Sequence, residues 1–460
     1  MKSLGQLGNS RDIAWGVSND GSVIVGQSDF YNNNEFSRGS FRWTAATGMT
    51  NLGVLNDGNS SIATDVSGNG LVIVGTANDG ADNNAYRAYR WTSETGMQTV
   101  EKWLSDNGVQ VDSALKTDIA YATNTDGSVV VGELANNHGF IARVNNSYGN
   151  GLIDTVNYAS SLQASTAIPL LGLRDADLTI NGAHGNPMRG LLSNGRHSAW
   201  LGGDWGRSDY RQMDGQAAVG ELGYGYGLAG ATLKMAVGRS YSDQASVWGG
   251  NTTIDGTYLM PEVITPIAST PLHLSLSGYY NFGDAVIRRG YLNAGTQAIS
   301  RGQADADTAA GRIRLDWLNA FSLPLTQFTP YASYSFTRTR VGGYTETGGG
   351  FPARWQARSE QGTQARVGLD AVVNLDDNFN LLARLEGVHR FEAQGTTSQV
   401  ELLGLNQYSF AGQNYRQYWL RGMVGGEAHV GPGVATATIN ATSESETPNY
   451  WVAASYRLTF

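Results

Sequence analysis

From Gly195 to Phe460 apolar and polar residues alternate with a period of two. Ala365, Val367, Leu369, Ala371 and Val373 interleave with Arg366, Gly368 and Asp370; Ile313, Leu315 and Trp317 interleave with Arg312, Arg314 and Asp316. The same reading sets Leu381, Ala383 and Leu385 against Arg384 and Glu386, and Leu272, Leu274 and Leu276 against His273, Ser275 and Ser277. Successive side chains of a strand point to opposite faces, so each segment presents one greasy face and one polar face. Twelve segments follow this rule, beginning near Ser198, Ala217, Ala231, Gly256, Leu272, Ala310, Thr329, Gln364, Asn380, Tyr415, Val434 and Asn449. Each is long enough for the roughly 9 to 11 tilted residues with which a strand crosses a bilayer.

A soluble sandwich alternates too, so the kind of residue on the polar face has to discriminate. That face carries charges of both signs at mid-strand: Glu221, Lys234, Arg312, Arg314, Asp316, Arg366, Asp370, Arg384, Glu386, Arg421, Glu427 and Arg457. An ionised inner face under an apolar outer band is the pattern of an outer-membrane barrel, and closure pairs every backbone group in lipid. The expectation for 195–460 is therefore a 12-stranded antiparallel transmembrane β-barrel in an all-β protein, its lumen lined by these twelve charges. Short connectors such as Gly227-Leu228-Ala229-Gly230 and Asp376-Asp377-Asn378 read as periplasmic turns, and the long polar stretches Gly283 to Ala309 and Thr396 to Gln413 as extracellular loops. Trp205, Tyr210, Tyr224, Tyr226, Tyr280, Trp317, Tyr334, Phe336, Tyr418 and Trp451 sit near segment ends, where an aromatic girdle forms.

Residues 1–143 follow a different rule. Asn19-Asp20-Gly21-Ser22-Val23-Ile24-Val25-Gly26 returns as Gly68-Asn69-Gly70-Leu71-Val72-Ile73-Val74-Gly75 and as Thr125-Asp126-Gly127-Ser128-Val129-Val130-Val131-Gly132. Arg42-Trp43-Thr44 with Gly48-Met49 returns as Arg90-Trp91-Thr92 with Gly96-Met97, and Phe140-Ile141-Ala142-Arg143 is a worn third copy. Turn dipeptides followed by short apolar strands at a period near 50 residues imply a small β-repeat domain, partial and propeller-like, that buries its apolar faces on its neighbours. Between the two regions, 144–194 reads as linker and helix: Leu152, Val156, Ala159, Leu162 and Thr166 fall at helical spacing, and the small polar residues of 160–167 suit a rod inside a lumen.

Composition narrows the classes. Sixty glycines, ten prolines and 15% charged residues suit short strands and tight turns. The chain has no cysteine, which excludes disulfides, thiolate metal sites and cysteine nucleophiles and suits passage through an oxidising periplasm. A net charge of −9 without a Lys/Arg cluster argues against nucleic acid as a partner. Mean hydropathy is −0.28, and no stretch reaches the roughly 18 apolar residues of a spanning helix. Met1-Lys2-Ser3-Leu4-Gly5 lacks the apolar core of a secretory signal, and since such a barrel is exported, the expectation is a mature or truncated chain without its signal peptide.

Catalytic signatures are missing. There is no G-x-S-x-G elbow or H-E-x-x-H, and His138, His184, His197, His273, His389 and His429 form no readable acid-base set, so the protein is expected not to be an enzyme and to hold no metal or cofactor. Asp175/Asp177 and Asp305/Asp307 lack Ca²⁺-loop spacing and read as solvated loop carboxylates. Trp43 and Trp91 could stack on glycans, which an adhesin would use, but their regular spacing reads as core.

The repeats resemble the HAF-type extracellular repeats, which share the arginine-aromatic-tryptophan strand, the glycine-methionine turn and the "DGS-V-VVG" strand quoted above; that resemblance implies a surface-displayed domain. The last strand places Tyr450, Val452, Ala454, Tyr456, Leu458 and Phe460 on one face, and its ending at Tyr456, Leu458 and Phe460 resembles the signal read by the outer-membrane assembly machinery. Taken together, 151–460 resembles an autotransporter β-domain, with Leu173-Arg174-Asp175 and Ala199-Trp200-Leu201-Gly202-Gly203-Asp204-Trp205-Gly206 in the places of the family's post-helix segment and first strand. What the resemblance implies is type V secretion in the Gram-negative outer membrane. The barrel, a monomer assembled with periplasmic chaperones, carries its own N-terminal passenger through the pore to the cell surface, and the helix is left as a plug. Some relatives cut themselves between neighbouring asparagines; Asn145-Asn146 is the candidate pair here, beside the plainer reading of a polar linker. The rival reading of the lumen charges is a porin-like channel in which they set ion selectivity.

Overall fold

Side chains fold back on the backbone at the start of each repeat, and this sets the strands that follow. Ser18 Oγ accepts from Val23 N at 3.0 Å, and Asp20 Oδ1 accepts from Ser22 N at 2.9 Å. Ser67 and Asn69 do the same for Val72 and Leu71, and Asn124 and Asp126 for Val129 and Ser128. The glycine that ends each "V-x-V-G" strand is required by a close approach. A Cβ on Gly26, Gly75 or Gly132 would lie 1.9 Å from the carbonyl oxygen of Ile13, Ile62 or Ile119 respectively. These approaches accompany register shifts in the paired strands, where a bulge leaves no room for a side chain.

The computed structural model describes residues 3–32, 35–145, 147–210, 213–443 and 448–460, in two compact units. The first unit runs through Ser161 and takes in Gly290–Ser300 and Gly348–Pro352. It contains three four-stranded antiparallel meanders: β1 (Asp12–Val17), β2 (Val23–Asn32), β3 (Glu35–Thr44), β4 (Gly48–Asn51); β5 (Ser61–Val66), β6 (Ile73–Asp79), β7 (Ala85–Thr92), β8 (Gly96–Thr99); and, after the helix α1 (Val100–Asp106), β9 (Thr117–Thr123), β10 (Val129–Leu134), β11 (Gly139–Arg143), β12 (Gly151–Asp154). One core lies between the first and second sheets, with Val23 and Val25 against Ala63, Val66, Ile73 and Tyr89. A second lies between the second and third, with Val72 and Val74 against Ala120, Val130, Phe140 and Leu152. Trp91 packs half-buried on the first of these cores.

One expectation for the joining segment is corrected. Leu152 is not helical: Gly151–Asp154 is the outer strand of the third sheet, with Phe140 opposite Asp154 and Arg143 opposite Gly151. The helix begins at Thr155 because Asp154 Oδ1 accepts from the backbone N–H groups of Val156 and Asn157, at 2.9 and 3.1 Å. The helix expected here is present, with one interruption. It runs as α2 (Thr155–Ser165) and α3 (Ile168–Asn181), broken at Thr166–Ala167, where Pro169 supplies no N–H to the preceding turn and restricts Ile168.

In the second unit twelve strands close on themselves: β13 (His197–Tyr210), β14 (Met213–Leu228), β15 (Ala231–Ala245), β16 (Asn251–Pro266), β17 (Leu272–Asn293), β18 (Thr296–Trp317), β20 (Thr326–Val341), β23 (Arg358–Asn374), β24 (Phe379–Arg390), β27 (Tyr418–Val430), β28 (Gly433–Thr442) and β29 (Tyr450–Thr459). Neighbours in sequence are neighbours in the wall, and β13 pairs with β29 to shut the barrel, Ser198 opposite Thr459 through Arg207 opposite Tyr450. A short strand, β19 (Phe321–Leu323), extends the wall beside β20. The remaining strands, β21 (Tyr344–Thr345), β22 (Ala353–Trp355), β25 (Ser398–Leu402) and β26 (Gln407–Phe410), form a small sheet of their own.

The long connectors are corrected by these strands. The stretch Gly283 to Ala309 is a continuation of β17 and β18 to a tight turn at Ala294 and Gly295, both with positive φ, of 53° and 84°. On β18 the outward residues run Trp317, Leu315, Ile313, Gly311 and Ala309, then Asp307, Asp305, Gln303 and Arg301. Past Ala309 the outside turns polar, the contrast between faces disappears, and the ladder reads like a loop although it persists. Thr396 to Gln413 likewise contains β25 and β26. The tenth barrel strand starts at Tyr418 rather than near Tyr415.

Candidate functional site: the lumen of the barrel

Every residue of α3 is buried, although the helix carries Arg174, Asp175, Asp177, Thr179 and Asn181. A helix with polar groups all round is stable inside a protein only if the surrounding wall supplies partners, and the inward side chains of the barrel do so. Arg366 Nη2 donates to Asp177 Oδ1 at 2.6 Å, Ser242 Oγ donates to Asp175 Oδ2 at 3.0 Å, and Arg174 Nη1 donates to Gln244 Oε1 at 3.2 Å. Asp175 and Asp177 are thus not solvated loop carboxylates. At Gly172 the helix meets the wall closely: a Cβ there would sit 2.6 Å from the hydroxyls of both Thr308 and Thr339.

The C-terminal end of α3 receives one guanidinium group and the segment just after it a second. Arg312 Nη1 donates to the carbonyl of Ile180 at 2.7 Å, and Arg314 Nη1 donates to that of Gly185 at 2.7 Å. Cations at a helix C-terminus answer both the orphan carbonyls and the negative end of the helix dipole. The segment after the helix is held as well. Ala183 N donates to Asp204 Oδ2 at 3.2 Å, His184 Nε2 lies 2.6 Å from Glu221 Oε1, Arg189 pairs with Glu427, Arg457 donates to the carbonyl of Arg189, and Leu192 N donates to Thr232 Oγ1 at 3.0 Å.

Behind these contacts the wall charges neutralise one another. Asp370 receives Arg384 at 2.6 Å and Arg314 at 3.1 Å, and Arg314 also pairs with Asp316 at 2.6 Å. Glu386 takes Arg366 at 2.6 Å and the hydroxyl of Tyr331, with Arg421 at 3.9 Å. Glu262 bridges Lys234 at 3.1 Å and Arg312 at 3.2 Å. Arg314 lies 3.5 Å above the Tyr331 ring, a cation-π contact that shields a charge from apolar surroundings. Charges this buried are tolerable only in such mutual pairing. Beside the segment after the helix there remains a cavity of about 80 Å³, lined by His184, Arg189, Trp200, Glu221, Lys234 and Arg457 among others. It has room for a handful of waters and no more.

The charges named from alternation, Glu221, Lys234, Arg312, Arg314, Asp316, Arg366, Asp370, Arg384, Glu386, Arg421, Glu427 and Arg457, all take part in this network, Arg421 also by donating to Asn440 Oδ1 at 2.7 Å. Glu262, Asp177, Arg189 and His184 belong to it and were not legible. On β16 the inward neighbours of Glu262, namely Tyr258, Met260 and Ile264, are apolar too, so the faces do not differ in polarity. His184 and Glu221 form an acid-base pair that spacing could not show, and Glu221 also accepts from Trp200 Nε1 at 2.8 Å and Tyr258 OH at 2.9 Å. Tyr456, Leu458 and Phe460 lie on the outer side of the closing strand, where Phe460 exchanges backbone hydrogen bonds with His197 at 2.8 and 2.9 Å and its ring stacks on that of His197. Asn145 accepts from Ser147 N at 2.8 Å in a turn ahead of β12, while Asn146 lies outside the described residues.

Comparison with known proteins agrees with this geometry. The translocator domain of the autotransporter NalP from Neisseria meningitidis is similar in fold, with 14% identity, 65% of this chain and 99% of that chain covered, and a TM-score of 0.50. The beta domain of the Bordetella autotransporter BrkA matches at 14% identity over 58% of this chain and 100% of that one, with a TM-score of 0.42. No curated protein matches the sequence significantly. The family model for the autotransporter beta-domain matches residues 199–441, more than half of the chain, and the protein accordingly belongs to the autotransporter β-domain family, whose barrels reside in the Gram-negative outer membrane.

Proposed function

We propose that the barrel serves to carry its own N-terminal repeats, 1–154, to the cell surface, and that the helical segment stays in the lumen afterwards as a plug. The observation that carries this reading is the seating of α3: a wholly buried helix whose Asp177 and Ile180 carbonyl are bound by Arg366 and Arg312 of the wall, with Arg314 holding the segment that follows it. A channel lined for diffusing ions spaces its charges around open water. These are consumed in pairs, and the cavity beside the segment after the helix is about 80 Å³. The partners in this reading are the outer-membrane bilayer, the assembly machinery with its chaperones acting on the strand that ends in Tyr456, Leu458 and Phe460, and the chain's own passenger. The protein acts as a monomer, engages no nucleic acid and has no catalytic role; His184 and Glu221 hold the plug.

Two measurements test it. Proteinase K added to intact cells is expected to remove epitopes within 1–154 and to spare the barrel; protection of those epitopes until the outer membrane is broken would defeat passenger carriage. In planar bilayers the full chain is expected to conduct weakly, and a chain lacking 155–192 to show large steady steps. Wide conductance by the full chain, unchanged by the deletion, favours the porin reading.

A further inference from the structure

The repeat sheets pack in one direction, and each uses the same residues. The second sheet receives the first through Ala63, Val66 and Ile73, with Trp91 and Met97 at the margin, closing over Val23 and Val25. The third receives the second through Ala120, Val130, Phe140 and Ala142, closing over Val72 and Val74. Two further marks repeat at each junction. The turn glycine of the receiving sheet lies against the first valine of the sheet it receives: a Cβ on Gly70 would be 2.8 Å from Val23 Cγ2, and one on Gly127 would be 2.3 Å from Val72 Cγ2. The turn of the received sheet also donates a backbone bond to the turn of the receiver, Asn19 N to Gly68 O at 3.0 Å and Asn69 N to Thr125 O at 3.0 Å.

The first sheet repeats most of the receiving face. Ala14, Val17 and Ile24 stand where Ala63, Val66 and Ile73 stand in the second sheet, Trp43 and Met49 stand for Trp91 and Met97, and Asn19 for Gly68. Part of it is covered among the described residues, Phe41 being 1% exposed and Gly8 lying close against the carbonyl of Asp29, but the positions of Ala14 and Val17 are open. Val17 is 57% exposed where Val66 is 4% exposed, and the Cβ position of Gly21 has no atom within 4 Å where those of Gly70 and Gly127 touch valines. The other end of the array differs. There β12 is tied down within the same unit, Leu152 O accepting from Ala294 N at 2.7 Å, and Val129, the counterpart of Val23 and Val72, is already buried.

We infer that the open face of β1–β4 is a docking surface for one further four-stranded repeat of the same kind, borne on the same polypeptide ahead of β1 and offering a V-x-V strand after an Asp-Gly or Asn-Gly turn. The continuity of the interface identifies the occupant: the face already exists twice inside this chain, and both times what fills it is such a sheet. A second copy of this chain cannot supply the matching face, because its Val129 is covered. This inference does not depend on passenger carriage or on the plug.

The test is the full chain with 12–60 duplicated in tandem ahead of Asp12, folded in detergent beside the original chain and followed by hydrogen exchange. In the duplicated chain, amides of β1 and β2 in the downstream copy are expected to exchange at least tenfold more slowly than in the original, and Trp43 emission to shift to the blue. Val17→Asp in the downstream copy is expected to abolish that gain while changing exchange in the unduplicated chain far less, since Val17 there is more than half exposed. Equal exchange in the two chains, with the barrel intact by heat-modified mobility, overturns the inference. So does protection of the original chain that grows with its own concentration, which identifies a second copy as occupant, or that appears only with phospholipid vesicles, which identifies a lipid surface.

Discussion

The repeat sheets and the barrel wall are written in the same alternation and use it in opposite senses. In the sheets the aliphatic positions, Val25, Ile73, Val74 and Val130, are buried against a neighbouring sheet, while Trp15 and Tyr121 face outward. In the barrel Leu222, Val367, Leu385 and Ile439 face outward, Val367 with 68% of its surface exposed, and Arg312, Asp316 and Glu386 are buried. A period of two states only that a strand has two different faces. Which face is dry depends on what the sheet closes around: another sheet in the first region, and a charged helix-filled lumen in the second. The burden of specificity moves accordingly, from shape-matched methyl groups to a network in which each charge has a partner.

The largest effect is expected where that network is cut. Glu386→Ala leaves Arg366, Arg421 and the Tyr331 hydroxyl without their common acceptor and is expected to cost about 3 to 5 kcal/mol, read as a lowered unfolding midpoint of the vesicle-inserted barrel in urea. Glu401→Ala removes a half-exposed partner of Arg354 and is expected to cost no more than about 1 kcal/mol. Equal costs would show that the lumen charges are hydrated rather than paired.

One residue away, on the opposite face, Leu385→Arg is expected to cost about 2 to 4 kcal/mol in the same assay, as an arginine facing acyl chains does. Tyr121→Arg, an equally outward position on a repeat sheet, is expected to stay within about 0.5 kcal/mol. A neutral Leu385→Arg would place the outer face of β24 in water. Smaller again is Ile73→Val, which trims one methyl group from a fully buried site and is expected to cost about 0.5 to 1.5 kcal/mol of repeat-domain stability. Ile24→Val, at the matching half-buried position of the first sheet, is expected to cost less in a thermal melt of the same region.

The smallest effect is one of pH. Bonds from the Ser18 hydroxyl, the Ser22 N–H and the Ser22 hydroxyl hold the Asp20 carboxyl down at about 2. A carboxyl depressed on folding contributes stability above its ordinary range, and the contribution is lost as pH falls through the folded value. Hydrogen exchange at the first repeat turn is therefore expected to be flat above about pH 5, after correction for intrinsic rates, and to lose protection between about pH 4 and 2. Asn69, which takes the same place in the second repeat, accepts the corresponding bonds without titrating, so Asp20→Asn is expected to flatten the profile. A profile unmoved by Asp20→Asn would assign the loss to other groups.

Much of the barrel was legible because lipid makes a strong demand. An outward run such as Val367, Leu369, Ala371 and Val373 beside inward Arg366 and Asp370 suits little besides a wall with acyl chains on one side and ionised groups on the other. The signal failed where the demand ceases. Beyond Ala309 the outer side of β18 leaves the apolar band and the strand looks like a loop; at Leu152 a four-residue strand fits helical spacing as well as a strand's. Within the lumen, Arg312, Arg314 and Arg366 could be named from parity alone, but their partners could not. Ile180, Gly185 and Asp177 lie more than a hundred residues away along the chain, and nothing local marks them.

By itself the sequence determined the repeats, the number of wall strands and the two faces of most of them, because turn chemistry and alternation are local and act within a few residues. Tertiary structure alone decided what the inward charges hold, where the helix breaks, and which repeat face is filled. Those outcomes depend on which distant groups closure brings within hydrogen-bonding distance, and a buried charge is stable only beside the particular partner it meets there.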